Sequence, residues 1–197
     1  MNVMIGTNGR RPAHGFSMVE LVIVVAITLV VAAVAIPGVF AATQNFKLRS
    51  SASGLSGIVQ KARMLAVARN GFYPVLTTTS GGTTYAFIDL NGSGTMNAAA
   101  ENTNIFLPDN VVFDPGGSHP SDTTIRNGLD AVYALPEFNP RGLPCFVSAG
   151  VCTVNANQMY ITFLRQDRSL GTPGWAAINV TPLGRVQVWT WDGSNWQ

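Results

Sequence analysis

Charge is scarce in this chain. Lysine and arginine number 12 and aspartate and glutamate 10 among 197 residues, together 11%. Arg10 and Arg11 supply two of the basic residues, so the remainder carries ten of each sign. A near-neutral body exerts no broad attraction on nucleic acid or anionic lipid. Histidine and cysteine are scarcer, at two each: His14 and His119, Cys145 and Cys152. Two cysteines and one histidine in the body cannot build a structural zinc site without carboxylate help, and no metal or other cofactor is expected. No G-x-S-x-G, Walker loop or paired-acid motif is present, so enzymatic chemistry has no support. His119, in a Pro/Ser/Gly loop, reads as a solvated residue, and Asp167–Arg168 beside Arg165 as a solvated turn.

What the chain does have is one long uncharged run. No residue from Leu21 to Phe46 carries a charge, and Leu21–Pro37 is apolar. At about 1.5 Å per residue, roughly 20 helical residues cross a bilayer core. Arg10 and Arg11 on the N-terminal side predict a cytoplasmic N-terminus. A secretory signal fits poorly, because the run is long for its apolar region and Pro37 follows the candidate cleavage residues 33–35 closely. A buried core helix is disfavoured by a run apolar on every face. A simple anchor leaves Glu20 unexplained, since a carboxylate in hydrocarbon is expensive and usually has a partner. Cleavage after Gly15 would supply one. Phe16 would then carry a free amine about one helical turn from Glu20. The acid could pair with that amine, or with the amine of a neighbouring chain when helices stack with an axial offset.

The stretch "GFSMVELVIVVAIT" resembles the class III signal of the type IV pilin superfamily, through Gly15, Phe16, Ser17, Glu20 and the Leu/Ile/Val run. The resemblance implies cutting after Gly15 by a prepilin peptidase, N-methylation of Phe16 by the same enzyme, and assembly with other pilins through the N-terminal helix. Pro37 stands where pilins often carry a helix-loosening proline. The implied location is the bacterial inner membrane, single-pass, with a periplasmic head.

Beyond Pro37 the helix is expected to continue to Arg69. Leu48, Ala52, Leu55, Val59, Ala62 and Ala66 form one apolar stripe, and "RNG" at 69–71 stops it. Pro37 and Gly38 are expected to kink or loosen it. After Gly71 short β-rich runs alternate with turns: strands near 73–79, 83–90, 111–113, 131–138, 159–164, 175–180 and 185–191, with Gly81–Gly82 closing a tight hairpin. Residues 97–110 and 114–122 read as loops. The fold class is therefore α+β, a long N-terminal helix packed on a β-rich head. The expected divisions are a leader 1–15, a membrane and assembly helix 16–42, its amphipathic continuation 43–70, and the head 71–197. "FIDLNGSGTMNAAAE", "IFLPDNVVF", "FNPRGLP" and "LGRVQVW" resemble the GspH/FimT group, the minor pseudopilins of type II secretion and minor pilins of type IV pili. Glu20 also bears on rank within the filament: the tip pseudopilin typically lacks that acid.

Three stretches invite more specific readings. "DLNGSGTMNAAAE" begins like a calcium loop with Asp89, Asn91, Ser93 and Gly94, but its twelfth position is Ala100 and Glu101 is one late; a turn at a strand end is the alternative. Arg185, Gln187, Trp189 and Trp191 alternate onto one face of the last strand. Arginine with exposed aromatics can hold a single nucleic-acid strand, and DNA-uptake members of the FimT group carry Gly-Arg-x-Arg here. Gln187 replaces the second arginine, and packing of the tryptophans on the sheet or on another subunit is the alternative. Cys145 and Cys152 fit a disulfide if the head is exported, worth roughly 2–3 kcal/mol by loop closure; two free thiols are the alternative. The partners this leaves are the processing peptidase, other pilins, the inner membrane, and secreted cargo or DNA.

Overall fold

The computed structural model describes residues 16–97, 104–108, 110–114, 117–148, 151–168 and 171–197. Gly15, Ala100 and Glu101 lie outside them. The chain divides into two compact units, one ending at Ala42 and one from Thr43 to Gln197. A single helix, α1 (Met18–Ala68), contributes to both.

In the first unit α1 is exposed along nearly its whole surface, as side chains apolar on every face require when nothing packs on them. The helix is long and apolar enough to cross a membrane. Its assignment runs on through Pro37. The proline nitrogen cannot donate to the carbonyl of Ala33, so one rung of the ladder is missing there.

The second unit is an α+β head, with eleven strands among the described residues. They are β1 (Tyr73–Ser80), β2 (Thr83–Ile88), β3 (Asn104–Phe106), β4 (Val111–Asp114), β5 (Asp130–Val132), β6 (Glu137–Phe138), β7 (Pro144–Ser148), β8 (Val151–Thr153), β9 (Gln158–Gln166), β10 (Gly174–Val180) and β11 (Val186–Thr190), with a one-turn helix α2 (Thr123–Arg126). One sheet has the order β3-β2-β1-β6-β7-β8, the other β11-β10-β9-β4, with β5 parallel to β9. Gly81 and Gly82 close the β1–β2 hairpin at φ 60° and 82°, the positive values a two-residue turn of this hand needs.

The apolar stripe of α1 is the axis of the core. Leu48, Ala52 and Leu55 meet Ala86, Leu107, Val111, Leu164, Ala176 and Ile178. Further along, Val59, Ala62 and Ala66 meet Val75, Ile88, Phe138, Tyr160 and Val180. Both sheets thus close on one helix face. The helix stops where Asn70 takes φ 50° and Gly71 N–H returns to Ala66 C=O.

β9 and β10 are covered on their other face too. Met159, Ile161, Phe163, Trp175 and Ala177 join Ile125 and Trp196 in a third cluster, with Trp189 and Trp191 packed against it. That is why every residue of β10 is buried. Residues 191–197 make this second cover by folding back: Thr190 and Gln197 exchange both backbone hydrogen bonds, and the Trp196 indole donates to Ser121 C=O at 2.8 Å.

Three local expectations differ from the structure. The run 131–138 is two strands in different sheets, β5 and β6, because Pro136 sits between them and cannot donate to a ladder. The reach expected to be loop at 97–110 contains β3, which pairs with β2. His119 is not a solvated loop residue. Its ring stacks on Phe163 with centroids 3.9 Å apart and 11° between planes.

Candidate functional site

The candidate site is α1 itself and the contacts by which the head grips it. Ser17 C=O accepts from Leu21 N–H and so opens the helix, which places Glu20 in its first turn. There a carboxylate complements the unpaired N–H groups of the helix start, an effect of about 0.3–1 kcal/mol at an exposed position. Phe16, immediately outside the helix, is 79% exposed. Beyond Glu20 the helix in this unit offers only apolar and small side chains and Thr28, whose hydroxyl donates back to Val25 C=O at 2.9 Å. Such a surface can associate with lipid or with like helices, and has no group suited to chemistry.

The head takes hold immediately after this unit. Gln166, fully buried at the end of β9, donates through Nε2 to Gln44 C=O at 2.9 Å and to Gln44 Oε1 at 3.0 Å. Asn110 Nδ2 donates to the same Oε1 at 2.6 Å. Arg168 spans the arrangement, from Gln166 Oε1 at 3.3 Å to Asn45 Oδ1 at 2.7 Å. Amide groups buried this way are costly unless paired; here they pair with one another and fix the head to Gln44 and Asn45. The neighbouring Arg165 is not simply solvated: it sits 3.1 Å from Asp167 and 3.8 Å from Asp114.

A second grip lies nearer the end of α1. Arg63 Nε donates to Gly142 C=O at 3.0 Å, and Nη2 reaches Leu183 C=O at 3.4 Å. The stretches "FNPRGLP" and "LGRVQVW", 42 residues apart between their glycines, therefore meet on one helix side chain. Gly142 and Gly184 have φ 73° and 78°. A Cβ on Gly184 would lie 2.6 Å from Gly142 O and 2.9 Å from Arg63 Nε. Both glycines are required by backbone conformation and by close approach.

Asp89 is buried, and its carboxylate is occupied by backbone donors. Oδ1 accepts from Asn91, Gly92 and Ser93 N–H, the shortest at 2.8 Å, and Oδ2 from Gly94 N–H at 2.7 Å. The acid closes a turn after β2, and its lone pairs point at amides. Nearby, burial and then the Asp89 charge raise the carboxyl pKa of Glu137 above its usual range. A folded-state value above the unfolded one means that the ionised form disfavours folding. Stability therefore falls as pH rises through the interval above about 4.3 and is restored below it. Glu137→Gln is expected to raise Tm at neutral pH, with the gain vanishing near pH 4. A gain that persists undiminished in acid would contradict this account.

Cys145 and Cys152 are joined by a disulfide, with Cα atoms 5.4 Å apart, across the β7–β8 hairpin. Arg185 is exposed immediately before β11, and Gln187 on that strand is half-buried. Trp189 donates its indole N–H to Asn179 Oδ1 at 3.4 Å, and Trp191 lies against Trp196 with ring centroids 5.4 Å apart. Trp189 and Trp191 both pack against the cluster that holds Ile125 of α2 and Trp196. No group of three or more metal-ligating side chains occurs among the described residues.

The site's geometry is therefore that of a helix exposed and apolar along its first half, with the head gripping its second half. Residues 10–36 match the family model of the prokaryotic N-terminal methylation motif. The N-terminal segment is thus of the prepilin type, the signal of type IV pilin-like proteins. Neither curated proteins nor solved structures give a match to the chain. Sequence reasoning missed both grips. Gln44, Gln166 and Arg63 carry no motif of their own, and the only local hint was a pair of glycines in turn-like settings.

Proposed function

We propose that this protein is a minor pilin or pseudopilin of the GspH/FimT kind, a structural subunit rather than a catalyst. The observation that carries the reading is the methylation-motif match over residues 10–36, continued by a helix whose first half has no charge from Leu21 to Ala42, with Glu20 the one charge in its first turn. The chain is made with a leader 1–15 and enters the inner membrane with its head outside the cytoplasm. Prepilin peptidase cuts it after Gly15 and methylates Phe16. Residues 16–42 join the filament core, 43–70 carry the head, and 71–197 offer a surface to other subunits or to cargo. A secretion pseudopilus and a type IV pilus use this design equally. The disulfide suits an exported head. DNA capture by Arg185, Gln187 and Trp189 has less support, because the tryptophans turn into the sheet and leave one exposed arginine.

Mass spectrometry of the protein isolated from its cells tests the reading. The expected N-terminus is N-methylated Phe16. A chain that still begins at Met1, or one trimmed near Ile36 by ordinary secretion, would defeat it.

A further inference from the structure

The head exposes two phenylalanines beside each other. Phe46 on α1 is 72% exposed and Phe106 on β3 is 69% exposed. They line one groove of about 400 Å³ together with Lys47 and Pro108. Neither ring contributes to a core cluster, and an aqueous surface gains nothing from the pair. Their place along the chain supplies a reason. The apolar run reaches Ala42, and the grip on Gln44 and Asn45 follows within three residues. Along the chain only Thr43 stands between the end of that run and the first gripped residue, Gln44. From Leu21 to Phe46 is about 39 Å of helix at 1.5 Å per residue. A hydrocarbon core takes about 30 Å of that, so Phe46 falls in the polar layer beyond it. Aromatic side chains concentrate in that layer, and lysines there meet lipid phosphates.

We infer that Phe46, Phe106 and Lys47 form a seat on which the head rests against the headgroup layer of the membrane that holds the helix. The occupant is the lipid surface itself. The seat makes the rings interfacial while the subunit waits in the membrane and releases them when it leaves. Lys47, with Arg49 close behind, gives the seat a preference for anionic lipid. This inference rests on the membrane-anchored reading above.

The test uses the full-length chain reconstituted into vesicles of phosphatidylcholine and phosphatidylglycerol, with flotation as the first readout. Phe106→Trp adds an emission to that of the native tryptophans, and the exposed position tolerates the larger ring. The expected result is that the added emission is lost in vesicles whose lipid is brominated high on the acyl chain and kept in unbrominated ones. Phe46→Trp should behave alike. Lys47→Glu in the Phe106→Trp background should reduce the quenching in anionic vesicles. A chain that floats but whose added emission is indifferent to bromine overturns the seat and leaves anchoring intact. The same holds if the emission changes only with protein density, because a neighbouring head then covers the rings. A chain that fails to float overturns anchoring and the seat together.

Discussion

Glu20→Ala is expected to remove most of the protein from sheared filaments while leaving its amount in the membrane unchanged. The argument concerns charge balance in hydrocarbon. In the proposed filament the amine of one processed chain and the carboxylate of the same or a neighbouring chain would neutralise each other. Removing one partner of a buried pair costs about 3–5 kcal/mol, because the other charge is left uncompensated. Every 1.4 kcal/mol is a factor of ten, so incorporation should fall on the order of a hundredfold or more. Insertion, which depends on the apolar run, should not suffer. Glu20→Gln separates this from the bland role of a first-turn acid. The macrodipole contribution is only about 0.3–1 kcal/mol, too small to empty a filament. Glutamine near the wild-type level in filaments would show that the charge is not what assembly needs. The fraction of protein in sheared and membrane pools, by quantitative immunoblot, reads both variants.

Gly184→Ala should be the most damaging small substitution in the head. The residue has φ 78°, which costs an alanine about 1–2 kcal/mol. The new methyl would also stand 2.6 Å from Gly142 O and 2.9 Å from Arg63 Nε. That displaces a hydrogen bond to a charged donor, worth about 1.5–3 kcal/mol. The combined loss is about 3 kcal/mol or more. For a body of this size each kcal/mol moves Tm by about 2–4 °C, so a drop near 10 °C is expected in thermal unfolding followed by circular dichroism. Gly81→Ala is the control. Its φ is 60°, but nothing lies within 4 Å of the added methyl, and it should lose only the backbone part. Equal drops for the two would mean that the meeting of the two loops on Arg63 contributes nothing.

The long helix, its apolar stripe and its stop at Asn70 were legible because they rest on local rules: a 3.6-residue period, a capping residue, an uncharged run of membrane length. The β1–β2 hairpin was legible for the same reason, from Gly81–Gly82. Glu20 stood out as the one charge immediately before an uncharged run of membrane length.

Contacts between distant residues were not legible. Periodicity put Trp189 and Trp191 on one face of the run 185–191, but only the backward turn of residues 191–197 and the placement of α2 decide what lies over it. Gln166 reads as one more strand residue until the fold brings it to Gln44, and Arg63 as a solvated helix charge until two loops converge on it. Local sequence determined the extent of α1 and the turn at Gly81–Gly82, because those choices depend on neighbours along the chain. The grips on α1 belong to tertiary structure alone, because a hydrogen bond spanning 79 residues or more has no signature in the spacing of either partner.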